Sequence, residues 1–121
     1  MPGSPEKKGP WWLPLGTVPE VSAAELHAQR LAGDRLQIVD VRTPHEFRNG
    51  HIDGAVNVPI HALRRSLPGL RLDRSLPVIT ICKTAHRSIP ATRLLRGRGF
   101  DAKQLAKGMD EWRRQELPVE K

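Results

Sequence analysis

Two hydrophobic spacings alternate along this chain. The apolar runs "LQIVDV" (Leu36–Val41) and "PVITIC" (Pro77–Cys82) have the length and β-branched content of strands buried on both faces. "AVNV" (Ala55–Val58), closed by Pro59, and "AKQL" (Ala102–Leu105) read as shorter strands. Between them the spacing becomes helical. Ser22 followed by Glu25 makes a capping box that opens a helix over Ala23–Ala32, stopped by Gly33. Thr43, Pro44 and Glu46 make a second box, for a short helix ending near Gly50. "IHALRRSL" (Ile60–Leu67) puts Ile60, Leu63 and Leu67 on one helical face. Two more helices are predicted over Ser88–Arg96, before Gly97 and Gly99, and over Met109–Gln115. Strands alternating with short helices predict an α/β fold, with a mostly parallel central sheet and helices on both faces. In such sheets ligands bind at the carboxyl ends of strands, and Cys82 stands at one.

Composition bounds the picture without changing it. The 121 residues fit one domain, expected over residues 19–121 behind an N-terminal arm or leader of residues 1–18 rich in Pro, Gly and Lys. Trp11 and Trp12 make that arm apolar, and packing on its own domain is expected before contact with a membrane or partner. No apolar run reaches the roughly 18 residues of a membrane span. One cysteine excludes an internal disulfide, a CxxC redox pair and a multi-cysteine zinc site, so a reducing, cytoplasmic setting is expected. The five histidines show no metal-binding spacing, and no metal or other cofactor is expected. The net charge of +7 favours anionic substrates or acidic partners. No nucleic-acid motif accompanies the arginines, which read as a solvated basic face.

Chemistry concentrates in "CKTAHRS", Cys82–Ser88. By itself, a lone cysteine ending a core strand reads as inert packing. The next residues change that. A short loop from strand to helix turns its N–H groups toward one point and binds anions, and the helix N-terminus adds to it. Lys83 and Arg87 bring positive charge, and His86 a further donor. Each favours thiolate over thiol. A thiol of ordinary pKa, about 8.5, is about 3% ionised at pH 7; a drop of about two units makes it about 75%. A helix terminus supplies at most about 2 kcal/mol, so loop amides and cations must supply the rest. Arg87 can grip an oxyanion through two donors.

At this point the chain resembles the rhodanese-domain sulfurtransferases, over roughly Val21–Val119. "DVRTPHEFRNGHIDGAVNVP" (Asp40–Pro59) is similar to the family's first motif, "CKTAHRS" to its active-site loop, and "LAKGMDEWRRQELPV" (Leu105–Val119) to its C-terminal motif. The resemblance implies a persulfide on Cys82. The sulfur comes from a small anionic donor such as thiosulfate and goes to a thiol or cyanide. It implies substrate binding by Lys83, Thr84, Ala85, His86, Arg87 and Ser88, chiefly through backbone N–H groups, and support from a structural Asp40–Arg42 pair. A sulfur-carrier or regulatory module docking to a protein partner is the alternative. Cysteine-dependent phosphatases of this fold have one more residue between Cys and Arg, so the tighter loop here suits sulfur rather than phosphate. His51 is expected to be a turn residue and Trp112 core. Two positions depart from the family pattern. Ala85 stands where glycine is common, and so does Lys107, whose effect is expected to be local.

Overall fold

The computed structural model describes residues 17–121. Trp11, Trp12 and the rest of the arm up to residue 16 therefore lie outside the described residues, while Val18 at its end is buried in the core. Five strands, β1 (Glu20–Val21), β2 (Gln37–Asp40), β3 (Val56–Asn57), β4 (Val78–Ile81) and β5 (Ala102–Leu105), form one sheet in the order β1-β5-β4-β2-β3. Every pairing is parallel. All five strands thus deliver their carboxyl ends to one edge. After β2 the chain moves outward to β3. It then returns to β4 on the other side of β2 and moves outward again to β5. The switch point of the sheet therefore lies between β2 and β4, where a crevice for ligands is expected.

The helices are α1 (Ala23–Leu31), α2 (Pro44–Arg48), α3 (Ile60–Leu70), α4 (Ser88–Gly97) and α5 (Gly108–Arg114). Alternation along the strands divides the core in two. Val39, Val41, Val78 and Cys82 face α3 and α4 through Leu63, Leu67, Ala91 and Leu95. Ile38, Ile79 and Ile81 face α1 and α5 through Leu26, Met109 and Trp112. No described helix is long and apolar enough to cross a membrane.

Both capping boxes form with both of their hydrogen bonds. Two differences from the sequence reading have local causes. The two-residue β1 was not anticipated, because it is too short to show a period. Helix α3 runs past Leu67 through Pro68 to Leu70. Proline removes one N–H there, but Leu70 and Leu72 still pack against the core and hold the last turn.

Buried polar groups fasten α4 to the sheet. Thr80 Oγ1 of β4 lies 2.7 Å from Thr92 Oγ1 of α4. Ser88 Oγ, at the first position of α4, donates to Gln104 Oε1 of β5 at 2.6 Å, and Gln104 Nε2 donates to Glu20 of β1 at 2.7 Å. The helix that begins at the Cys82 loop therefore has a set position over three strands.

Candidate active site

Cys82 follows β4 and is only 1% exposed, which by itself is how an inert core cysteine looks. Its surroundings are polar, however. The Arg87 amide donates to Sγ at 3.1 Å, and the Thr84 and Ser88 amides also face the sulfur. Helix α4 has no side-chain N-cap and no acidic residue in its first turn. The sulfur instead accepts from the amide of Arg87, the residue at the start of the helix, against its positive end. Burial pushes the thiol up. The three amides and the Arg87 charge outweigh it, and the result lies below the ordinary thiol value.

Ala85 is what curls the loop. Its φ is +74°, in the left-handed region. This reversal turns consecutive peptide N–H groups toward one side. An L-residue there costs about 1–2 kcal/mol. Ala85→Gly should consequently leave stability within about 0.5 kcal/mol. The relief offsets the lost buried methyl and the looser unfolded chain, about 0.8 and 0.5–1 kcal/mol. Ala91→Gly, at a buried right-handed site in α4, should cost about 1.5–2 kcal/mol, because nothing there offsets those losses. Equal losses in urea titrations of the two variants would refute the strain at Ala85.

Arg87 does not point freely into solvent. Its Nη1 and Nη2 donate to Glu46 Oε1 and Oε2 at 2.7 and 2.9 Å, a two-pronged pair. Sequence reasoning missed this role of Glu46, which it used only as a cap. The carboxylate does both: Oε1 also accepts from the Thr43 amide at 2.9 Å. Helix α2 is thereby tied to the Cys82 loop. The available signal was a capping glutamate at the carboxyl end of the neighbouring strand, with its second oxygen unassigned.

The Arg87 pair, ahead of the opposing effect of burial, holds the Glu46 carboxyl down from 4.5 to about 2. A depressed carboxylate contributes stability that is present above its unfolded pKa and lost as pH falls through the folded one. The stability gap between wild type and Glu46→Gln should therefore be flat above about pH 5 and close toward about pH 2. Glutamine retains much of the cap. Urea titrations across that range check it, and a gap independent of pH would refute the pairing.

The other site positions divide. The Lys83 ammonium turns to Asp110 of α5 at 3.1 Å, both half-exposed, so it is not the second cation at the sulfur that the sequence reading expected. The reason is tertiary: α5 starts directly beneath residue 83. Thr84 Oγ1 pairs with His86 Nδ1 at 3.2 Å, and both side chains sit exposed on the rim. The Ser88 hydroxyl faces Gln104, leaving its amide to face the sulfur. Asp40 and Arg42 form a buried pair (2.8 Å), with Arg42 also donating to the Gly50 carbonyl at 2.9 Å. His51 stacks on Phe47 at 3.7 Å and exchanges backbone hydrogen bonds with Glu120, so its role is structural but in an antiparallel bridge to the C-terminal segment rather than in the expected turn. Trp112 is buried, with Nε1 donating to the Pro118 carbonyl.

Helix α5 locks the floor of the site. The Met109 and Asp110 amides donate to the Cys82 and Lys83 carbonyls at 2.8 and 3.0 Å. That approach requires Gly108, whose φ is +63°. A Cβ there would sit 2.5 Å from the Lys83 carbonyl oxygen and closer still to that of Cys82. Lys107, exposed and also left-handed at φ +62°, is a local matter; its neighbour is not.

The chain has known relatives. The family model of the rhodanese-like domain matches residues 22–115. The chain belongs to the rhodanese-like domain family. It is 38% identical over 90 residues to the thiosulfate sulfurtransferase GlpE of Stutzerimonas stutzeri, covering 74% of this chain and 79% of that one. It is 39% identical over 102 residues to the HTH-type transcriptional regulator Rv0324 of Mycobacterium tuberculosis, covering 83% of this chain but 44% of the regulator. A rhodanese-related protein from Thermoplasma volcanium superposes with a TM-score of 0.76 at 28% identity, covering 84% of this chain and 97% of that one. Of these relatives GlpE is named a thiosulfate sulfurtransferase, and in the regulator the matching stretch is less than half of a larger protein.

Proposed function

We propose that this chain transfers sulfane sulfur from a small anionic donor, of which thiosulfate is the test case, to a thiol or cyanide acceptor through a persulfide on Cys82. The Cys82 thiolate attacks the outer sulfur of thiosulfate. The S–S bond breaks and sulfite leaves with its electron pair, so the sulfane sulfur remains on Cys82 as a persulfide anion. An acceptor thiolate or cyanide then attacks the terminal sulfur and restores the Cys82 thiolate. No proton or external electron is required in either half.

The carrying observation is the set of amides from Thr84, Arg87 and Ser88 around the sulfur. The same donors that favour the thiolate are placed to hold the charge of the persulfide. A sulfur this deeply enclosed favours donors that present a terminal sulfur atom over bulky ones. Arg87, held by Glu46, keeps its charge beside the loop without needing the substrate to position it. Asp40 and Arg42 support the end of β2 next to the loop.

Intact mass before and after thiosulfate treatment tests the reading. A gain of one sulfur atom, removed by added thiol with release of sulfide or acceptor persulfide, is expected. A mass unchanged by thiosulfate and by other sulfane donors would overturn it.

A further inference from the structure

The basic residues are unevenly distributed. Between Gly54 and Phe100 nine lysines and arginines stand against one acid, Asp73, so this stretch accounts for the net positive charge of the whole chain. The fold collects part of it beside the Cys82 loop. Helices α3 and α4 cover the same face of the sheet and contain no acidic residue. Between them runs an open groove of ≈ 470 Å³ lined by Ile60, His61, Arg64, Arg65, Pro90 and Leu94. Ile60, Pro90 and Leu94 give it apolar walls; His61, Arg64 and Arg65 are exposed and cationic or ionisable. Among the described residues no carboxylate pairs with Arg64 or Arg65. Elsewhere the exposed basic side chains of Lys83 and Arg114 have acidic partners.

The groove's position links it to the reaction. Ile60 and Pro90 lie in the first turns of their helices, at the sheet edge that carries Cys82, and Pro90 is two residues beyond Ser88. A chain lying along the groove would reach that edge with its end beside the loop mouth. Thiosulfate and cyanide are too small to use such a surface.

We propose that the α3–α4 groove docks an acidic protein segment, an apolar side chain between Ile60 and Leu94 and carboxylates on Arg64 and Arg65, and so presents that partner's thiol to the Cys82 persulfide. The proposal rests on the sulfurtransferase reading above. Charge complementarity selects the partner: with no acid in either helix, the groove repels basic chains and attracts acidic ones, mainly through the association rate.

The test uses a short synthetic peptide with one cysteine, one leucine and several Asp and Glu residues, and a counterpart with Asn and Gln in their place. Persulfide-loaded wild-type protein should transfer sulfur to the acidic peptide about tenfold faster at low salt, and the advantage should shrink as salt screens it. Arg64→Glu/Arg65→Glu should lose the advantage while its rate with cyanide stays unchanged. Arg35→Glu/Arg98→Glu makes the same change in net charge at the opposite edge of the sheet and should keep it. Equal rates for the two peptides, or equal losses in the two double variants, would overturn the proposal. Should neither thiosulfate nor any other sulfane donor leave sulfur on wild type, the sulfurtransferase reading fails instead. The groove is then judged by fluorescence anisotropy of the labelled acidic peptide with its cysteine replaced by serine. Binding lost selectively in Arg64→Glu/Arg65→Glu supports docking, and binding unaffected refutes it. A labelled single-stranded oligonucleotide that binds the groove more tightly than the acidic peptide would assign the surface to nucleic acid and overturn it.

Discussion

Cys82→Ser should abolish sulfur transfer while leaving the protein folded. A serine hydroxyl is almost wholly protonated at neutral pH and forms no persulfide. Turnover with thiosulfate and cyanide should fall by at least about a thousandfold, the scale on which loss of a covalent nucleophile acts. The fold should survive because the hydroxyl can accept from the amides that face the sulfur in wild type. Replacement by serine also changes little volume, so stability should move by no more than about 1–2 kcal/mol. Initial rates, intact mass and a thermal melt on one preparation check all three expectations. A serine variant that turns over at the wild-type rate would remove Cys82 from the reaction.

Gly108→Ala should be the most damaging small change away from the sulfur. The added methyl would collide with the Cys82 and Lys83 carbonyls, which are backbone and cannot swing aside. It would also hold alanine at φ +63°. The left-handed conformation costs about 1–2 kcal/mol and the overpacking about 1–3, so a loss of about 3 kcal/mol is expected. For a domain of this size that lowers Tm by on the order of 10–20 °C. Relief requires α5 to move away, breaking the Met109 and Asp110 hydrogen bonds that set the start of the loop. The fraction still folded should therefore show reduced kcat. Lys107→Gly, one residue earlier, should be neutral or slightly stabilising because it removes only left-handed strain. A Gly108→Ala protein with wild-type melting and rate would mean that α5 does not position the loop.

The two predictions differ in how visible their sites were in the chain. Cys82 stood out from its strand, the loop after it and its spacing to Arg87. Gly108 read only as one residue of the C-terminal motif "LAKGMDEWRRQELPV". Its contact with the site spans the interval from residue 82 to residue 108, which no local pattern encodes. Glu46 is intermediate: its capping role follows from Thr43 three residues before it, but its grip on Arg87 depends on β2 and β4 being neighbours. Lys83 shows the opposite error. Proximity in sequence suggested a second cation at the sulfur, and the side chain instead pairs with Asp110. The arginines read only as a solvated basic face because sequence distance hides that α3 and α4 lie on the same face of the sheet.

What the sequence determined by itself is local. Apolar runs set the longer strands, capping boxes set the starts of α1 and α2, and "CKTAHRS" supplied a nucleophile followed by a loop able to gather N–H groups. These depend on contacts within a few residues, where spacing and side-chain chemistry suffice. Tertiary structure decided which partners those groups meet. Parallel pairing brings the ends of β2, β4 and β5 to one edge, and only there do Glu46, Arg87 and Gly108 act together on one loop. It also decided how Ala85 behaves. The chain holds φ +74° at an alanine in a loop whose two ends are fixed, by β4 on one side and α4 on the other, so the surrounding structure over-determines it.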